Sequence, residues 1–212
     1  FENKEGDLWF GSYNGGVYEF NKKSNKLKIY DVRDGLAHNW VTSFYQDVNN
    51  NVWVGTWEGG ITKFSPEREL TSIGVDKGAK DSKIRCISGD REGNVLFGTK
   101  ENGLLVYKGE QFTSYGVDQG LINDQVWAVL TDAKGQNWIG TNKGISVIKD
   151  FNQVKNYNED NGLSFEEVKY IKEDKTGNIW IGTWGGGVLQ YNPRSDRFDM
   201  NYRINSFMYQ PL

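Results

Sequence analysis

The chain repeats itself. Residues 177–191 read GNIWIGTWGGGVLQY, and residues 50–64 read NNVWVGTWEGGITKF. The same kernel, an apolar residue followed by Gly and then Thr or Ser, recurs around Gly11, Gly55, Gly98, Gly140 and Gly182, at spacings of 44, 43, 42 and 42 residues. A period near 42 constrains the fold more tightly than any composition could. One supersecondary unit must be arrayed about five times, each copy burying a face that it cannot bury alone.

The rest of each period keeps the same clock. An apolar segment comes first (VTSFYQD, IRCISGD, VWAVLTD, VKYIKED) and ends in Asp47, Asp90, Asp132 or Asp174. A turn, the Gly-Thr strand and a glycine-containing turn follow. Then come a third strand (VYEF, ITKF, LLVY, ISVI, VLQY) and a more polar fourth (KLKIY, LTSIG, QFTSY, QVKNY). We label these A to D. The inner three are apolar on both faces, as strands sandwiched between neighbours must be, and D is polar, as suits an outer edge. No window carries a helical period. The pattern predicts an all-β fold, a β-propeller of about five four-stranded blades of about 42 residues. The repeats fall at about 1–40, 41–83, 84–125, 126–167 and 168–203, with 204–212 as an extra innermost strand, since INSFMYQ resembles VTSFYQD. The first repeat begins just before a strand B. Two arrangements stay open: the C-terminal strand completes the first blade and closes a five-bladed ring, or the chain is a slice of a larger propeller.

Composition agrees and excludes. The 212 residues hold 26 Gly, only 3 Pro and 14 % aromatics, which suits short strands joined by tight turns. A net charge of −3 offers no basic field to nucleic acid. The single Cys, Cys86, excludes an internal disulfide and a cysteine-based metal cluster. No apolar run of about 18 residues exists to span a membrane. The start at Phe1 suggests a mature or excised piece, with any signal peptide or anchor outside it.

The pattern D-x-x-G-x-[LI]-W-[IV]-G-T-x-x-G-G-[LIV]-x-x-[FY], preceded by G-L-x-x-x-x-V, resembles the two-component regulator propeller repeat. Residues 162–191 match it nearly throughout and residues 120–148 almost as well. Departures are Asn50 in place of the turn Gly, Leu96-Phe97 in place of a Trp-containing pair, and KGAKDSK at 77–83 in place of the G-L connector. The resemblance implies an extracytoplasmic sensor part of a membrane-anchored signalling protein, often a hybrid histidine kinase of gut Bacteroidetes, that reports on oligo- or polysaccharides. It places the chain on the periplasmic or extracellular side, with a kinase, if there is one, elsewhere in the parent protein.

Fold does not fix function, so the site is argued from residues. Trp53, Trp138 and Trp180 lie two residues before the strand-B glycine and are expected to wedge between blades. Trp57 and Trp184 instead fall on the B–C turn, where exposure is expected. Tyr13, Lys100 and Asn142 hold the same slot in the other copies, and a slot that changes chemistry while its surroundings repeat is a candidate for function. In a propeller the B–C turns and the D-to-A connections share one face. That face gains His38, Asn39 and Trp40, then Asp81, then Asn123 and Asp124, then Phe165 and Glu166. Aromatic rings beside amides and acids are what a sugar site needs, since rings stack on C–H patches while polar groups bond hydroxyls.

Other chemistries fit less well. The repeated Asp loosely echoes an oxygen-rich calcium loop, but the Gly and the distant Glu of such a loop are missing. Capping of backbone N–H groups two or three residues on is the simpler role. His38, the sole histidine, has no visible partner for a metal site or a nucleophilic triad. Glu159-Asp160 and Glu166-Glu167 are adjacent pairs that point to opposite sides, unsuited to acid–base work. The leading reading is a non-catalytic sensor of a glycan, without cofactor or metal, partnered by other domains of its parent chain and by a possible second copy. The alternatives are a protein-interaction or structural platform, and an enzyme such as a propeller lyase or glycosidase.

Overall fold

The computed structural model describes residues 1–74, 79, 83–149, 153–163 and 166–202. Five antiparallel sheets follow one another along the chain. The first has three strands, β1 (Leu8–Gly11), β2 (Val17–Asn21) and β3 (Lys26–Tyr30). The second is β4 (Val41–Gln46), β5 (Val52–Thr56), β6 (Ile61–Phe64) and β7 (Leu70–Ile73). The third is β8 (Ile84–Gly89), β9 (Val95–Thr99), β10 (Leu104–Lys108) and β11 (Gln111–Tyr115). The fourth is β12 (Val126–Thr131), β13 (Asn137–Thr141), β14 (Gly144–Lys149) and β15 (Gln153–Tyr157). The fifth is β16 (Val168–Glu173), β17 (Ile179–Thr183), β18 (Gly187–Asn192) and β19 (Arg197–Tyr202). Each sheet pairs its strands in sequence order, so the second to fifth blades are meanders of A, B, C and D and the first a meander of B, C and D. Residues 204–212, expected as an extra strand A, lie outside the described residues, as does most of the connector at 77–83.

The core sits between blades rather than within them. Trp9, Tyr30, Val41 and Phe64 form one layer between the first and second blades. Trp53, Ile84, Phe97 and Leu105 form the next. Leu104, Leu121, Val126 and Ile139 form the third, and Trp138, Tyr157, Val168 and Ile181 the fourth. Strand B of the second, third and fourth blades is therefore covered on two sides, which is why β5, β9 and β13 are buried at all five residues. Trp53 meets Phe97 and Tyr107 of the next blade edge-on, with ring centroids 5.6 and 5.0 Å apart, so the wedging expected of this residue is found.

Two glycine positions show why the kernel repeats. A Cβ on Gly98 of strand B would lie 2.7 Å from Cγ1 of Val126, the first residue of the following blade's strand A. Gly11, Gly55 and Gly140 stand in the same relation to Val41, Ile84 and Val168. Only a bare backbone lets the blades approach this closely. On the B–C turn, Gly103 has φ 69° and a Cβ there would sit 2.2 Å from the Tyr115 carbonyl oxygen, so a left-handed residue without a side chain is required.

The Asp at the end of strand A caps the A–B turn, but two and four residues on rather than two or three. Asp132 accepts from the N–H groups of Lys134 and Gln136, each at 2.8 Å, and from Trp138 Nε1 at 2.9 Å. Asp47 and Asp174 repeat the arrangement with Trp53 and Trp180. Asn50, which replaces the turn Gly, takes φ 64°, a conformation that Asn tolerates better than most residues. The G-L connector also finds its reason. Gly35, Gly120 and Gly162 close single 3-10 turns in the left-handed region, and Leu36, Leu121 and Leu163 plug the gap between blades.

Candidate functional site

The turns and connections do share a face, and backbone bonds lock them together. The N–H of Trp57 donates to the Trp40 carbonyl, that of Lys100 to Lys83, and that of Trp184 to Glu167, at 2.8–3.0 Å. Each pair brings the residue after the Gly-Thr kernel beside the residue just before strand A.

A third residue joins each pair. The pairing of strands A and B shifts register between Val41 and Ser43, Ile84 and Cys86, Val126 and Ala128, and Val168 and Tyr170. Thr42, Arg85, Trp127 and Lys169 are therefore bulged residues, and a bulge re-aims the side chain it carries. Each blade thus carries three such slots where strand A begins and strand B ends: Trp40, Thr42 and Trp57 in the second blade; Lys83, Arg85 and Lys100 in the third; Gln125, Trp127 and Asn142 in the fourth; Glu167, Lys169 and Trp184 in the fifth.

Two clusters result. In the first, Tyr13, Trp40 and Trp57 form a ladder across two blades. The Tyr13 and Trp40 centroids lie 4.3 Å apart and the Trp40 and Trp57 centroids 4.9 Å apart, the latter pair nearly parallel. Lys100 extends the ladder into the third blade, its Nζ 5.5 Å from the Trp57 ring centre. Lys100 and Lys83 both face Glu101, at 3.5 and 3.8 Å. In the second cluster the Arg85 guanidinium lies 3.6 Å and Lys169 Nζ 3.7 Å from the Trp127 ring centre. Two groups so close to one ring centre must occupy opposite faces, so blades three and five clamp the indole of blade four between two cations. Its Nε1 donates to Asn142 Oδ1 at 2.5 Å, which also accepts from Lys169 Nζ at 3.0 Å. Asn142 Nδ2 in turn donates to Gln125 Oε1 at 2.6 Å, and Lys169 lies 3.2 Å from Glu167.

Of the residues nominated from sequence, Tyr13, Trp40, Trp57, Lys100 and Asn142 are brought into these clusters. Trp57 is half-buried against Trp40 rather than exposed, because the connection folds back over the turn, whereas Tyr13 and Trp184 stand out at 71 % and 73 % exposure. Asn39 and Asp124 serve the connections, accepting from the N–H groups of Val32 and Val117. His38 Nδ1 accepts from the Trp40 N–H at 3.1 Å, as Asn123 does from Gln125. Glu166 is partly buried on the same face, and Asp81 and Phe165 lie outside the described residues. The bulged residues were missed in the sequence. The signal was there: the slot after the first Val or Ile of strand A reads Thr, Arg, Trp, Lys while its neighbours repeat.

Hollows elsewhere follow from the architecture. One of about 590 Å³ lies between blades four and five, lined by Trp138, Val154, Lys155 and Tyr157. Another of about 510 Å³ lies between blades one and two, lined by Leu27, Lys28, Tyr30 and Arg68. The two share a place in the repeat, where radially arranged sheets splay apart toward their outer edges. At the rim of the first, Asp196 accepts from Tyr157 at 2.6 Å and Tyr191 at 2.8 Å and pairs with Lys155, so these three lining side chains already share a partner.

Comparison with known proteins agrees with this layout. The family model described as two component regulator propeller matches residues 35–58 and 162–185, the connection, strand A and strand B of the second and fifth blades. A histidine kinase of Formosa agariphila, P4, is 29 % identical over 132 residues, which is 53 % of this chain and 9 % of that protein. The extracellular domain described as that of a hybrid two-component system, BT3049, from B. thetaiotaomicron superimposes with a TM-score of 0.80 at 26 % identity, over 91 % of this chain and 27 % of that one. A streptogramin B lyase superimposes at 0.77 with 14 % identity, over 94 % of this chain and 66 % of that one, a likeness of fold alone. The chain thus spans about a quarter of the matched extracellular domain and under a tenth of the matched kinase.

Proposed function

We infer that this chain, which carries two-component regulator propeller repeats, is part of the extracellular or periplasmic sensor domain of a two-component signalling protein, and that it recognises a glycan without chemically altering it. The observation that carries the glycan reading is the Tyr13–Trp40–Trp57 ladder, an aromatic surface braced from beneath by backbone bonds. Such a surface stacks on sugar rings while neighbouring amides and charges bond hydroxyls. The non-catalytic reading rests on how the titratable groups of this face are used. The ring nitrogen Nδ1 of His38 holds a backbone N–H, and Glu101 and Glu167 face lysines.

Calorimetry with a panel of oligosaccharides tests the reading. Binding by the parent that falls at least about tenfold in Tyr13→Ala/Trp57→Ala, with an unchanged circular dichroism spectrum, is the expected result, since an aromatic contact contributes on the order of 1 kcal/mol beyond its buried area. Binding that survives in the double variant moves the site off this face. Absence of binding across the panel, with capture of a protein partner through the same residues, identifies an interaction platform instead.

A further inference from the structure

We propose that the ligand of this face carries an anionic substituent, a carboxylate or a sulfate ester, and that the third blade receives it. This rests on the glycan reading above and deepens it. All three variable slots of that blade hold cations: Lys83 before strand A, Arg85 at the bulge and Lys100 after the Gly-Thr kernel. No other blade concentrates charge in this way. The second offers Trp, Thr and Trp, the fourth Gln, Trp and Asn, and the fifth Glu, Lys and Trp. Among the described residues Glu101 faces Lys83 and Lys100, at 3.8 and 3.5 Å. The three variable slots of this blade thus concentrate cations within a chain whose overall charge is −3, on the face that also carries the rings.

The placement is selective. Lys100 lies over the Trp57 ring at the end of the aromatic ladder, so a sugar that packs against the rim of that ladder brings a substituent toward the Lys100 and Lys83 ammonium groups. On the far side the Arg85 guanidinium stacks on Trp127 with its Nε and Nη1 buried, so it adds its charge from a fixed position. Preorganised cations beside a ring platform discriminate a charged sugar from a neutral one, since the neutral sugar must desolvate these cations without compensating them. Lys83 and Lys100 side chains are 30 % and 33 % exposed, open enough to meet a ligand and shielded enough to be less screened than free surface lysines.

Three matched probes separate the outcomes: a neutral galactan oligosaccharide, an oligogalacturonate and a sulfated galactan oligosaccharide. We expect one of the charged probes to bind at least about tenfold more tightly than the neutral one. That preference weakens as salt is raised from 50 to 500 mM, because screening shortens the reach of the cations. Lys83→Gln/Lys100→Gln removes the preference without changing the circular dichroism spectrum, and the arm that binds distinguishes carboxylate from sulfate. Equal binding of neutral and charged probes, or a preference untouched by the lysine variant, overturns the anionic inference. If Trp57→Ala still abolishes that binding, the glycan reading stands. No binding of any probe overturns both.

Discussion

Replacing Asp132 with Ala tests whether the repeated Asp–Trp bond holds the blades together. The Asp132 carboxylate is 5 % exposed and accepts three bonds, from the N–H groups of Lys134 and Gln136 and from Trp138 Nε1. After truncation, water reaches the two turn N–H groups, because the turn lies at the surface. It does not reach the indole N–H, since Trp138 is 2 % exposed and wedged against Tyr157 and Tyr191. One donor left unsatisfied in the core plus two weakened charge-assisted bonds should lower stability by about 2–4 kcal/mol. The third blade supplies the control. Asp90 caps the same turn through Glu92 and Asn94, but Leu96 stands where the other blades have Trp, so no indole bond is at stake. Asp90→Ala should cost about 1–2 kcal/mol. Urea unfolding followed by circular dichroism gives both numbers, and a double-mutant cycle with Trp138→Phe isolates the indole term. Equal costs at Asp132 and Asp90, or no coupling between Asp132 and Trp138, would refute the reasoning.

Three further outcomes follow from the same physics. In the first blade Asn3 holds the Asp slot and Asp7 the slot four residues on, which leaves Trp9 Nε1 and Asn3 Nδ2 buried without hydrogen-bond partners. The swap Asn3→Asp/Asp7→Asn restores the arrangement of the other blades and should raise the urea midpoint by the equivalent of about 1 kcal/mol; a lowered midpoint sinks the idea. Asp196 is held at about 2, first by its bond from Lys155 and then by Tyr157, and Asp174 is held well below the usual carboxylate range, chiefly by its bond from Trp180. Because these folded values lie below the unfolded ones, their stabilisation is complete above about pH 4 and is lost as pH falls through about 2. Urea midpoints should therefore be level from pH 7 to 5 and drop below 4, with a shallower drop in Asp196→Asn. Cys86 is partly buried, and desolvation pushes its thiol up to about 12, so a disulfide reagent at pH 8 should label it slowly in the native protein and rapidly on unfolding. Rapid labelling of the native protein would contradict the packing around it.

How much was legible in the sequence depends on whether a residue's role is local or radial. The five-fold kernel, the order of strands A to D and the polar edge were readable because strand period and turn chemistry act over a few residues. The glycine at the end of strand B was readable because its lack of a side chain repeats at a fixed interval. The turn aromatics were readable as candidates, since a slot that varies inside a constant frame stands out. Tertiary structure decided which candidates meet. Trp57 lies half-buried on Trp40 because the connection that carries Trp40, 17 residues earlier, folds over the same turn. Asn39 and Asp124 are spent on the connections for the same reason. The bulge after the first residue of strand A is a property of the pairing between two strands, and no single strand announces it. It turns Thr42, Arg85, Trp127 and Lys169 onto the shared face. The clamp of Arg85 and Lys169 on Trp127 joins three blades whose residues lie 42 positions apart in sequence. The sequence determined the blade, because hydrogen bonding and side-chain alternation are local. The site belongs to the array, because only the packing of one blade against the next sets the distances between residues a full repeat apart.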